Sequence, residues 1–135
     1  MIAYIIAVDP GTGKCGMAVL EGDGGRVLER AVAGREEALG LLGEWLRRYP
    51  GARVVVGDGT GSKAFVDDLK RAGLAGAGVE LVDERLSSVE ARRRYFAENP
   101  PRGWRRLLPW TLQSPPVPID DYVAVILGER FLRRG

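Results

Sequence analysis

Four acidic positions stand where the chain stops being apolar. Asp9 closes the run from Tyr4 to Val8, and Asp58 closes Arg53 to Gly57. Asp83 and Glu84 follow a short run ending at Val82, and Asp120 and Asp121 precede the apolar stretch from Tyr122 to Leu132. Carboxylates at the ends of strands can hold hard divalent cations, move protons, or simply cap the turns they sit in. The rest of the composition narrows the choice. The chain has no histidine, which removes His general bases, Ser-His-Asp triads and Cys/His zinc sites. Its one cysteine, Cys15, rules out an intrachain disulfide and reads most simply as a small buried hydrophobe. Catalysis, if any, falls to carboxylates, Lys, Ser, Tyr or Cys15.

The elements that must position these acids follow from periodicity. Tyr4–Val8 and Met17–Leu20 are apolar runs joined by a turn containing Pro10, Gly11, Gly13 and Gly16, so they read as two strands. Arg26–Val32 alternates loosely and reads as a third strand, antiparallel to the second. Apolar residues at 38, 39, 42, 45, 46 and 49 have helical spacing over Arg35–Tyr49, and Pro50-Gly51 stops that helix. Arg53–Gly57 fits a buried central strand. Gly59, Thr60 and Gly61 form a second glycine loop, after which Ser62 caps a helix to about Ala72. Gly78–Val82 is the fifth strand. Ser87 and Glu90 have capping-box spacing, which predicts a helix over Ser88–Glu98. Residues 99–118 hold six prolines and two tryptophans and read as a long loop. Asp120 or Asp121 then opens the last helix, with Asp120 favoured as its N-cap.

The resulting order, β-β-β-α-β-α-β-α-α over a single domain spanning 1–135, predicts an α/β fold. Three antiparallel strands followed by β-α units make a mixed five-stranded sheet with helices on both faces. Ligands of such sheets sit at the carboxyl ends of parallel strands. Asp9, Asp58 and Asp83-Glu84 each stand at such an end, and Asp120 and Asp121 can be aimed at the same point.

Charge is distributed unevenly. Residues 1–84 carry 10 basic and 13 acidic side chains, whereas residues 85–135 carry 10 basic and 5 acidic ones. Seventeen of the 20 basic residues are arginine, the side chain suited to bidentate phosphate contact. Lys14, Arg85, Arg92, Arg93, Arg102, Arg105 and Arg106 are therefore expected to touch a phosphate backbone without reading its sequence. At most two of Arg92, Arg93 and Arg94 share one helix face, so a solvated surface competes with that reading. Trp104 and Trp110 can stack on bases or cover the core beneath the loop. With no long apolar run and no basic-flanked leader, the expected location is the cytoplasm.

Three blocks carry a family resemblance: Asp9-Pro10-Gly11-Thr12-Gly13-Lys14-Cys15-Gly16, Asp83-Glu84-Arg85-Leu86-Ser87-Ser88-Val89-Glu90-Ala91, and Asp121-Tyr122-Val123-Ala124-Val125-Ile126-Leu127. Together they resemble the YqgF family of the ribonuclease-H-like superfamily, relatives of the RuvC Holliday-junction resolvases. The middle block is the specific one; the Asp-x-Gly turn is shared widely. The resemblance implies a ribonuclease-H-like fold and a metal-dependent nuclease acting on pre-16S ribosomal RNA or on branched DNA, with resolvases acting as dimers. It places the catalytic role on Asp9, Glu84 and Asp121. Two Mg²⁺ (or Mn²⁺) ions would be held by these residues, with Asp58 and Asp120 as further ligands. The chain departs from the family pattern twice. Strand four ends in Gly57-Asp58-Gly59-Thr60 where the family has a Leu-Pro turn. A Pro- and Trp-containing segment with three arginines replaces the Lys-rich one before the last helix.

Two other readings compete. Actin-like and sugar-kinase-like ATPases also open on Asp-x-Gly-Thr, but they close two such domains around ATP. A nucleic-acid-binding module without catalysis is the other. A P-loop is excluded, because neither Lys14 nor Lys63 sits in a Gly-x4-Gly-Lys-Ser/Thr frame.

Overall fold

In the computed structural model, which describes residues 3–11, 13–74, 78–109 and 113–134 with the Arg106 side chain excepted, alternation along the central strands sorts the core into two layers. Strand β1 (Tyr4–Pro10) lies in the middle of a five-stranded sheet ordered β3-β2-β1-β4-β5. It pairs antiparallel with β2 (Lys14–Glu21) and parallel with β4 (Arg53–Gly57). The outer strands are β3 (Val27–Gly34), antiparallel to β2, and β5 (Val79–Val82), parallel to β4. Successive side chains on a strand face opposite ways. Ile6, Val8, Val54 and Val56 therefore meet one layer of helices, and Ile5, Ala7 and Val55 meet the other.

The first layer is helix α1 (Arg35–Arg48) and helix α2 (Ser62–Arg71), which bury Leu42, Trp45, Phe65 and Leu69 against the sheet. Trp45 and Phe65 are the largest fully buried side chains, and truncating either to Ala would cost about 3–5 kcal/mol. In α1, Glu36 and Glu37 in the first turn and Arg47 and Arg48 in the last complement the helix dipole. The second layer is helix α4 (Asp120–Arg134), buried continuously from Val123 to Gly128, with helix α3 (Ser87–Glu98) beside it contributing Ala91. The mixed sheet with helices on both faces is the architecture expected from the sequence. Among the described residues no helix is long and apolar enough to cross a membrane.

Local details differ from expectation. No capping box forms at α3. The residue before it is Leu86, at φ 61° in the left-handed region, and Glu90 instead accepts a hydrogen bond from Arg130 at 3.3 Å. Ser62 does not cap α2 but is its first helical residue, after Gly61. Likewise Asp120 lies within the first turn of α4 rather than before it. The segment 99–118 is not wholly irregular, since Gly103–Leu107 forms a 3-10 turn.

Candidate functional site

Because β1, β4 and β5 run parallel, Asp9, Asp58 and the Asp83-Glu84 pair emerge at one edge of the sheet. Asp9 is the penultimate residue of β1 and half-buried, and the turn after it is tied by Gly11 N–H donating to the Lys14 carbonyl at 2.9 Å. Glu84 leaves β5 and leans over the end of β4. A Cβ on Gly59 would fall 1.5 Å from Glu84 Oε1, and one on Gly57 would fall 2.6 Å from Oε2. The carboxylate therefore occupies space that only glycine leaves open. Asp58 fixes the main chain of this turn: its N–H donates to Val82 O at 3.0 Å, and its Oδ1 accepts from Glu84 N–H at 3.2 Å. Asp83 is a turn residue, with Oδ1 accepting from Arg85 N–H at 2.9 Å and its carbonyl accepting from Arg130 at 2.8 Å.

The third carboxylate comes from the head of α4. Gly16 is the cross-strand partner of Asp9, and a Cβ there would collide with the Asp120 carbonyl at 1.8 Å and meet Asp120 Cβ at 2.9 Å. This glycine lets α4 start directly against the strand beside Asp9. Asp121, expected to be the third catalytic acid, turns elsewhere. Its Oδ2 accepts from Arg30 Nε at 3.1 Å, and the Arg30 guanidinium lies 4.0 Å from the centre of the Tyr122 ring. Successive helical residues point about 100° apart, so Asp120 and Asp121 cannot both face Asp9.

Repulsion and burial act together on Asp9. Burial, then the charges of Glu84 and Asp120, then a hydrogen bond with Glu84 push the Asp9 carboxyl from 3.8 up to about 7. Asp9 therefore keeps its proton up to near neutrality. Burial likewise raises the Cys15 thiol, in keeping with an inert packed side chain. Among the described residues no three acids are gathered tightly enough to make a preformed metal cage. The Asp9–Glu84 pair with Asp120 nearby still fits a hard divalent cation. Magnesium needs only one or two protein carboxylates and takes its remaining oxygens from water and substrate phosphate.

A cavity of about 410 Å³ opens over the pair, with Asp9, Glu84, Thr60 and Gly61 in its wall and Arg35 opposite. Arg35 was not among the expected contacts. A signal for it existed, since a cation at the first position of a helix opposes the macrodipole and so invites another explanation. Here it reaches Asp68 at 3.4 Å while lining the cavity.

The remaining basic positions scatter. Lys14 is exposed at the start of β2. Arg85 is exposed but lines a separate cavity of about 450 Å³ with Arg130 and Arg134. On α3, Arg92 is half-buried and Arg93 exposed, and Arg94 is committed to Glu129 at 2.8 Å. Arg102 and Arg105 are exposed around the 3-10 turn. Thr12, Trp110 and the Arg106 side chain lie outside the described residues.

No protein-family model and no curated protein sequence matches the chain. Its fold is similar to that of Thermus thermophilus RuvC in complex with a Holliday junction substrate, at TM-score 0.55 and 17% identity, over 98% of this chain and 96% of that one. A second structure of Thermus thermophilus RuvC aligns at TM-score 0.51 and 18% identity, over 98% and 96% of the two chains. At this identity the likeness is one of fold, and the fold is the ribonuclease-H-like one.

Proposed function

We propose that this protein is a divalent-metal-dependent nuclease of the YqgF kind, cleaving phosphodiester bonds in structured nucleic acid in the cytoplasm. The observation that carries the proposal is the meeting of Asp9 and Glu84 at the ends of parallel strands, with Gly16 admitting Asp120 beside them; the raised Asp9 carboxyl agrees with it. Two carboxylates brought together after parallel strands, with a third at the head of a helix nearby, destabilise a protein unless a cation uses them, and such perturbed groups cluster at functional sites. The fold likeness to a resolvase bound to a Holliday junction raises the prior by analogy.

In this reading Asp9, Glu84 and Asp120 hold the metal, in place of the expected Asp9, Glu84 and Asp121. A bound divalent ion supplies a water of lowered pKa and charge compensation on phosphate oxygens. A cation held there would favour the ionised form of Asp9. Asp58 holds the main chain of Glu84 so that its carboxylate overhangs the glycine shelf. Asp121 is paired with Arg30 instead. Arg35 faces the same cavity and is placed to meet a phosphate brought to Asp9. Pre-16S ribosomal RNA and a four-way DNA junction are the two substrates to compare.

The test is incubation of labelled junction DNA and labelled structured RNA with Mg²⁺, Mn²⁺ or EDTA. Cleavage that needs the metal and disappears in Asp9→Asn is expected. The second reading, binding without catalysis, is favoured by the absence of a preformed cage among the described residues. Tight binding with no cleavage under any divalent ion would establish it.

A further inference from the structure

The 3-10 turn Gly103–Leu107 presents apolar side chains to solvent on a stiffened scaffold. Trp104 is 69% exposed and Leu107 81% exposed, so Trp104 does not cover the core. The turn is held from behind. Gln113 is buried, and its Nε2 donates to the Arg105 carbonyl at 2.8 Å and to the Leu108 carbonyl at 3.1 Å. Beside the indole a cavity of about 230 Å³ is lined by Trp104, Arg105, Leu108, Gln113 and Ser114. The Arg105 guanidinium carbon lies 5.9 Å from the indole centre, within cation–π range.

The charge around this ring is of one sign. From Asn99 to Ile119 the sequence holds three arginines and no acid. An exposed aromatic flanked by cations is complementary to negative charge. It suits a polyanion with flat, apolar rings. Indole faces stack on any base, and arginines beside them meet the adjoining phosphates.

We infer that Trp104 is a stacking platform for an unpaired base of the nucleic-acid substrate, with Arg102 and Arg105 holding the flanking phosphates. This inference rests on the nucleic-acid reading above and adds a preference for unpaired nucleotides. Duplex bases are already stacked on one another and offer no free ring face, so the platform contributes only where a junction, bulge or loop exposes one.

The experiment measures affinity in EDTA for a short labelled single strand and for its blunt duplex, using the full chain. Trp104→Ala should weaken single-strand binding roughly 5- to 100-fold, the range of one lost stacking contact, and leave duplex binding within about twofold. Trp104→Phe should recover most of the loss. The double change Arg102→Gln and Arg105→Gln should weaken both ligands and flatten the salt dependence. Thermal melting of each variant checks the fold, which an exposed ring should hardly affect. Equal single-strand affinity for wild type and a folded Trp104→Ala would overturn the inference and leave the nuclease reading standing. A wild type that sediments as a dimer and a Trp104→Ala variant that sediments as a monomer, with unchanged affinity, would make this face a contact between copies. Wild type that binds neither ligand would overturn the nucleic-acid reading itself.

Discussion

Replacing Asp9 with Asn keeps the side chain's size and removes its charge, so its effect on stability isolates the electrostatic cost of the site. Asp9 titrates near 7 in the folded chain against 3.8 as the ordinary value. Between those two pH values the folded protein binds the extra proton. Stability of the metal-free protein must therefore fall as pH rises from about 4 to about 7, and level off above. A displacement of roughly three pH units at about 1.4 kcal/mol each is about 4 kcal/mol. Partial solvent access to Asp9 reduces this to about 2–4 kcal/mol. Asn cannot lose a proton, and its amide can still donate to Glu84. In EDTA, Asp9→Asn should match wild type near pH 4 and exceed it by about 2–4 kcal/mol at pH 8, or roughly 10 °C in melting temperature. Urea denaturation at both pH values reads this directly. Adding Mg²⁺ should then stabilise wild type by linkage and leave the variant unchanged. A variant less stable than wild type at pH 8 in EDTA, or a gap that ignores pH, would refute the reasoning and make Asp9 a structural turn residue.

Two further outcomes follow from the same geometry. Gly59→Ala puts a methyl group where Glu84 Oε1 now lies; metal-dependent cleavage should fall at least about 100-fold, with under about 1 kcal/mol lost by chemical denaturation because the carboxylate end can swing aside, and full activity would show that Glu84 does not work from that shelf. Asp120→Asn should abolish metal-dependent cleavage, whereas Asp121→Asn loses only a part-exposed ion pair, costs under about 1 kcal/mol and keeps most activity. The opposite pattern in a side-by-side cleavage assay would return the metal role to Asp121.

What could be read in advance was whatever local pattern determines. Strand runs ended by acids placed Asp9, Asp58 and Glu84 at one sheet edge, because parallel pairing follows from the β-α-β order. The choice between Asp120 and Asp121 was not legible, and the reason is specific. Helix phase is read from an apolar stripe, but α4 is buried at every position from Val123 to Gly128, so it shows no stripe. The phase is set by tertiary packing, with Gly16 receiving the head of the helix and Gly128 lying against Leu20 and Ala7. The Ser87 capping box failed for a similar reason, since Arg130 of α4 takes up Glu90. Asp58 is expected as a ligand, yet its visible partner is the Glu84 N–H, in the turn after the neighbouring strand. Register between strands decides that, and register is not written at either residue. Arg35 is not legible because its meaning depends on a cavity whose wall comes from four separate stretches of chain.

Helix α4 touches both halves of the site. Its first residue brings Asp120 to Asp9, while Arg130 near its far end holds the Asp83 carbonyl next to Glu84. It follows every strand in chain order. Asp9 and Glu84 are brought to one end of the sheet by strand pairing, whereas Asp120 and the tether on the Glu84 turn belong to this one helix. Seating α4 on the sheet therefore completes the site from both sides in a single contact.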